Sequence, residues 1–395
     1  MAGEEVRGDV RTDYQHLIDE VTVLLGTPAT LEGRDFALIA FGAHESEDDQ
    51  VMDPVRTRSI LRRRSSPAVR EWFEAFGITT ARGPVRIPPE PAAGVLTGRI
   101  CLPARHGAVV HGYIWLLDDG AIALDDPRLS AAMDTAGRIG TLLAEEARAG
   151  ARLGELLHAV LAETGQGAGA ALAAALGPTA DGPLTMVAVL PWPGTERATA
   201  AGVPTAPPGS LAQCLMPARP GSPQGAAPAL AALTRPGAAR TVAERLRGGA
   251  TAGIGDARTG LEALPAAWRE ALAAARAAAA ERHRGPVAEW AGLGPYRLLT
   301  ALPEAPPDPA VAPLLAPEHA QLARTAEVFL DHAGQAARTA AALGIHRQTL
   351  YYRLSRVERL TGLDLGTGPD RLLLHMTLKT ARLRGRPGPG AFPGT

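Results

Sequence analysis

Hydrophobic positions along this chain recur at strand spacing in some stretches and at helix spacing in others. Between residues 10 and 26, Leu17, Val21 and Leu24 fall at helical spacing and predict a first helix ending at the Gly26-Thr27-Pro28 break. Strand-like runs follow. TLEG (30–33) and FALIAFG (36–42), separated by Arg34 and Asp35, predict a hairpin, and GRICLPA (98–104) with VVHGYIWLL (109–117) predicts a second adjacent pair. An amphipathic helix over residues 126–147 closes the stretch. Helix, antiparallel strands, irregular middle and closing helix together describe an α+β module.

From 151 to 305 the pattern becomes Ala- and Leu-rich helices around one clear strand, TMVAVLPW (185–192). The Pro/Gly-rich stretch 202–228 reads as a flexible surface loop. GIGDARTGLEALPAAWREALAAARAAAA (253–280) places Trp268, Leu272 and Ala275 on one helical face after a strand and turn, and VAEWAGLGPYRLLTAL adds an edge strand and a small helix. PEAPPDPAVAPLLAPEH (303–319) then separates this region from the last one, because proline lacks the backbone donor that helix and sheet interiors need.

The last region carries the most specific pattern. Residues 335–362, QAARTAAALGIHRQTLYYRLSRVERLTG, predict two helices joined by a tight turn. A helix-turn-helix needs a small residue where its helices cross, a residue tolerant of positive φ in the turn, and apolar anchors on both sides. Ala340, Gly344, Ile345 and Leu350 supply these, and Leu343 adds a buried position on the first helix. Leu350, Leu354, Val357 and Leu360 form one apolar stripe along the second. That stripe turns Gln348, Tyr352, Ser355, Arg356 and Arg359 outward, with His346, Arg347 and Thr349 at the helix start. Arg and Gln can address base edges through paired hydrogen bonds, while Thr, Tyr and a helix amino terminus suit phosphate. The expected DNA contacts are His346, Arg347, Gln348, Thr349, Tyr351, Tyr352, Arg353 and Arg356. Gly362 predicts a carboxyl-terminal cap, and a final helix after Pro369 and Asp370 would brace the unit through Leu372, Leu373, Met376 and Leu383.

Charge sharpens this picture. The whole 395-residue chain has a formal net charge of −1, yet residues 322–383 hold nine Arg or Lys against five Asp or Glu. Neutralising on the order of 4 to 6 phosphates per bound dimer would give a salt slope of roughly −4 to −5. The chain length suggests two to four domains, with three as the working number. Only two cysteines occur, Cys101 and Cys214, so neither a disulfide framework nor a zinc site is indicated and a reducing cytoplasm fits. The first residues lack the apolar run of a signal peptide, and no stretch of about 18 apolar residues suggests a membrane span. Lys379 is the only lysine, a bias that reads as high-GC coding.

LGIHRQTLYYRLSRVERLTGLDL (343–365), with LARTAEVFLDHAGQAARTAAAL before it, resembles the carboxyl-terminal signature of the PucR/CdaR family of bacterial transcriptional regulators. Gln348 stands where the family usually has Asn, and Tyr351 where it commonly has Arg, so the operator of a relative is not transferable. The resemblance implies a three-part α+β chain. Residues 10–148 would be a GAF-like sensor of the actinobacterial type, and 151–305 a degenerate cyclase-like (GGDEF-like) α/β domain. A Pro-rich linker follows over 306–319, an all-α helix-turn-helix domain over 320–385 and a disordered tail over 386–395. No GGDEF motif is present. The implied protein is an effector-responsive regulator that binds double-stranded DNA as a homodimer or larger assembly. It would use no cofactor and no membrane, and would not be an enzyme.

Other motifs take plainer readings. GQGAGA (165–170) lacks the spacing and the preceding strand of a phosphate loop. Cys101, His106 and His111 lack a fourth ligand at a familiar spacing, and His283 sits between Arg282 and Arg284, where a cation is repelled. RTRSILRRRSS (56–66) reads as a solvated face, since Glu71 and Glu74 follow closely. The competing functions are a nucleotide sensor and a protein-binding scaffold without DNA binding.

Overall fold

The computed structural model describes residues 2–42, 67–192, 203–217, 228–303 and 305–384. The basic run 56–66 and the tail 386–395 lie outside the described residues. Two compact units emerge. The first comprises residues 2–42 and 67–157 with 167–182 and 203–206, and the second comprises 158–166, 183–192 and the described residues from 207 onward.

In the first unit, α1 (Ala2–Leu25) leads into the hairpin β1 (Ala29–Gly33) and β2 (Leu38–Phe41). After α2 (Pro67–Ala75) come β3 (Val85–Ile87), β4 (Gly98–His106), β5 (Val109–Asp118) and α3 (Pro127–Leu161). The strands form an antiparallel sheet in the order β2-β1-β5-β4-β3. Successive side chains alternate faces, so Ile100, Leu102, Ile114 and Leu116 meet α1 and α3, whereas Cys101, Tyr113 and Trp115 meet Phe36 and Phe73 on the other side. Both faces are therefore covered. Their strands read as nearly continuous apolar runs for that reason. The closing helix continues past residue 147 to Leu161: its continuation holds no proline, and buried Leu157, Val160 and Leu161 offset the weak helix formers Gly150 and Gly154. A short helix, α4 (Ala168–Leu176), also belongs here.

The second unit begins with a mixed sheet. Its strands are β6 (Pro183–Leu190), β7 (Ser210–Met216), β8 (Ala229–Thr234), β9 (Thr251–Ile254), the short β10 (Arg258–Thr259) and β11 (Val287–Glu289). The order is β11-β9-β6-β8-β7, with β11 parallel to β9 at one edge and β10 beside β6. The expected loop over 202–228 is corrected here: Ser210–Met216 is a buried strand paired with β8. Two helices pack on this sheet, α5 (Pro236–Leu246) and α6 (Leu264–Ala280). Gly253 and Gly255 explain how α6 comes so close. A Cβ at Gly253 would fall 2.1 Å from the Ala271 carbonyl oxygen, and one at Gly255 would fall 2.3 Å from that of Ala267. Of the expected face on α6, Trp268 and Ala275 are buried and Leu272 is half-buried. The small helix α7 (Tyr296–Ala301) follows.

Among the described residues, four α-helices come last: α8 (Ala320–Asp331), α9 (Ala336–Leu343), α10 (Arg347–Thr361) and α11 (Gly368–Leu383). Their core holds Ala326, Phe329, Ala340, Leu350, Leu354, Val357, Leu374 and Leu378. Val311 and Leu314, from the proline-rich stretch, are fully buried in the same core. The bracing residues on α11 also differ from expectation. Leu383 is buried as expected, but Leu372 is 61% exposed, Leu373 and Met376 are half-buried, and Leu374 and Leu378 face inward. Four apolar positions in a row, Leu372 to Met376 interrupted only by His375, leave the helix phase ambiguous in sequence.

Candidate nucleic-acid interface

The turn between α9 and α10 is built from Gly344, Ile345 and His346. Gly344 takes φ 64° and donates its N–H to the carbonyls of Ala340 and Ala341, closing α9. No atom lies within 4 Å of a Cβ built there, so backbone conformation alone requires glycine. His346 is extended and caps α10: its Nδ1 accepts the Gln348 backbone N–H at 3.3 Å. Using Nδ1 as the acceptor leaves Nε2 as the outward donor of the neutral ring. At the far end Gly362, at φ 71°, donates to the Glu358 carbonyl at 2.7 Å. The helix is fixed at both ends.

Leu350, Leu354, Val357 and Thr361 are the buried residues of α10, with Leu360 half-buried beside them. At 100° per residue, the positions opposite that stripe are Gln348, Tyr352, Ser355 and Arg359, with Thr349 and Arg356 on one flank and Tyr351 on the other. All seven are exposed, Tyr351 and Tyr352 by 57% and 60%. Arg347 is exposed in the first turn, whereas Arg353 is half-buried near the core edge. Arg359, not among the eight expected contacts, therefore falls at the centre of the outward face, where its Nε donates to the Ser355 carbonyl at 3.3 Å. Arg338 is exposed on α9 and was also outside the expected set; its only sequence signal was a polar position on the first helix.

The charge of this face differs from the charge of the segment. Glu358, the one carboxylate on α10, accepts the Leu365 backbone N–H at 3.1 Å and so serves the loop after the helix. Arg371 turns inward, its Nε donating to the Leu365 carbonyl and its guanidinium lying over the Phe329 ring. Lys379 and Arg382 are paired with buried carboxylates. The positive charge left at the surface lies mainly on α10, with Arg338 of α9 and Arg324 of α8 beside it. Such a helix offers phosphate-binding and base-reading groups along one side and apolar anchorage along the other.

Cys101 and His106 serve the fold of the first unit. Cys101 is buried among aromatic residues, and His106 lies 2.8 Å from an Arg148 nitrogen. His283 stands exposed, 3.5 Å from Glu281.

A three-residue turn, two capped helices and an outward basic face define a helix-turn-helix domain. The chain matches the PucR C-terminal helix-turn-helix domain family over residues 322–380. It is 52% identical over 58 residues to the carbohydrate diacid regulator of Escherichia coli (strain K12), covering 15% of each chain. It is 46% identical over 54 residues to the transcriptional activator PmfR of Paenarthrobacter nicotinovorans, covering 14% of this chain and 12% of that one. The matches thus span about one seventh of those relatives. A solved regulator of polyketide synthase expression from Bifidobacterium adolescentis aligns over 59% of this chain and 93% of its own, at 20% identity and a TM-score of 0.29.

Proposed function

We propose that this protein is a transcriptional regulator that binds double-stranded DNA by laying α10 in the major groove. The observation that carries the reading is the outward face of α10, where Gln348, Tyr352, Arg356 and Arg359 stand exposed on a helix capped at both ends. His346, Arg347 and Thr349 approach the backbone at the helix start, Gln348 addresses base edges, Arg356 reaches a phosphate on the flank, and Tyr351, Tyr352 and Arg353 contact the remaining edges. Two-fold assemblies read two-fold sites, so a homodimer or larger homo-oligomer on an inverted repeat is the natural complex. A place in the cytoplasm, beside the DNA, follows from the DNA-binding reading. No helix among the described residues is long and apolar enough to cross a membrane.

The two sheets support roles for the rest of the chain. The antiparallel sheet of the first unit, covered on both faces, supports a GAF-like sensor for a small-molecule effector. The mixed sheet with Gly253 and Gly255 under α6 supports a cyclase-like domain without the catalytic GGDEF motif, retained for assembly and not as an enzyme.

Selection of bound fragments from a random DNA pool tests the reading. A reproducible word that Arg347→Ala and Arg356→Ala each weaken, in folded protein, is expected. Enrichment of no sequence, or unchanged affinity in both variants, sinks it.

A further inference from the structure

Lys379 is the only lysine in a chain with 40 Lys and Arg, and it is 7% exposed. Its ammonium meets three carboxylates from two domains: Glu281 at 3.1 Å, Glu327 at 3.0 Å and Asp331 at 3.0 Å. Glu281 closes α6 of the mixed-sheet domain, while Glu327 and Asp331 lie one turn apart on α8. Arg382, one turn further along α11, reaches Glu327 at 2.6 Å and Glu281 at 3.7 Å. Tyr296 of α7 donates its hydroxyl to Glu281 at 2.5 Å.

A compact ammonium has three donors to spread over three separate acceptors, whereas a planar guanidinium is shaped for paired contacts. That is a physical reason for lysine at a position where the rest of the chain writes arginine. Beside the charges, Leu383 is buried against Ala274, Ala277 and Ala278 of α6. Arg384 donates to the carbonyl of Pro303 at 3.0 Å. The last two turns of α11 thus dock on the sheet domain through a smooth alanine surface and one set of buried charges. Alanines alone would accept several registers. Buried ion pairs add little net stability over apolar packing, and their best-attested use is to select one register.

We propose that Glu281 is a positioning residue for DNA recognition: by gripping Lys379 and Arg382 it fixes the orientation of the helix-turn-helix on the mixed-sheet domain. The proposal rests on the DNA-binding reading above, since orientation sets which spacing between half-sites an assembled protein can read.

Spin labels at Leu298→Cys on α7 and Ala337→Cys on α9, both exposed sites, report that orientation in the full chain. Native Cys101 and Cys214 are buried, which directs labelling to the new sites. The parent should give one narrow distance distribution and Glu281→Gln one at least twice as wide. An unchanged width in folded Glu281→Gln overturns the proposal. Should that variant fail to fold, Tyr296→Phe removes only the hydroxyl bond to Glu281 and must widen the distribution for the proposal to stand. In DNA selection, Glu281→Gln should recover the parental half-site word with relaxed spacing. Parental spacing retained despite a widened distribution overturns the link to recognition. A parent that enriches no DNA refutes the DNA reading, and with it that link, while the distances still judge the anchoring.

Discussion

Arg356→Ala separates phosphate contact from base reading at the outward face of α10. Arg356 is exposed on α10, so its removal costs the fold little beyond a small change in helix propensity. Removing one phosphate-binding cation from each of two protomers lowers the salt slope by about 0.9 per phosphate, or roughly 1.8 for a bound dimer. With a parental slope of about −4.5, affinity falls by about 500-fold between 50 and 200 mM salt; with about −2.7 it falls by about 40-fold. Fluorescence anisotropy of a labelled operator across a salt series reads this difference directly. Gln348→Ala, on the same face but uncharged, should leave the slope alone and relax discrimination at one base pair by about 1–3 kcal/mol. A slope unchanged by Arg356→Ala identifies that side chain as a base reader or a bystander. A slope altered by Gln348→Ala would refute the division of labour altogether.

Three further changes probe the scaffold. Leu350→Ala empties a fully buried position between α9 and α10 and should cost about 2–5 kcal/mol in denaturant unfolding, with loss of DNA binding; a cost under about 1 kcal/mol would mean the stripe is not the core. Gly253→Val forces side-chain atoms into the 2.1 Å approach of α6 and should destabilise by about 1–3 kcal/mol or more, with unchanged thermal unfolding as the contrary result. Burial alone would raise the Asp331 carboxyl, but hydrogen bonds from His375 and Lys379 with their charges outweigh it and hold it down to about 2. A depressed carboxylate contributes stability above its unfolded value near 3.9 and loses it as pH falls towards 2. The stability gap between parent and Asp331→Asn should therefore shrink between about pH 4 and pH 2, and a gap that stayed constant would contradict the pairing.

How much of this was legible follows from the range over which each feature is encoded. The pairs β1/β2 and β4/β5 are adjacent in sequence, each a pair of short apolar runs split by turn residues, so the residues announce them. The strand Ser210–Met216 is hidden between Pro/Gly runs, and its partner β8 follows a long Pro/Gly-rich segment; only the sheet explains Gln213 and Cys214 as interior positions. On α10, polar residues punctuate the apolar ones and fix the phase. On α11 the run of Leu372, Leu373 and Leu374 does not, and docking against α8 and α6 decides that Leu374 turns in and Leu372 out.

The same distinction governs charge. A sum over residues 322–383 weights every arginine equally, yet Lys379 and Arg382 are spent on Glu281 and Glu327, and Arg371 on a backbone carbonyl. Glu358, counted as a liability on the reading helix, is turned to the Leu365 N–H. What DNA would meet is the pattern left after this internal pairing: Arg347, Arg356 and Arg359 on α10, flanked by half-buried Arg353 and by Arg338 of α9. Phosphate affinity and domain orientation thus draw on separate sets of cations. A substitution in one should alter the salt slope without widening the domain distances, and a substitution in the other should do the reverse.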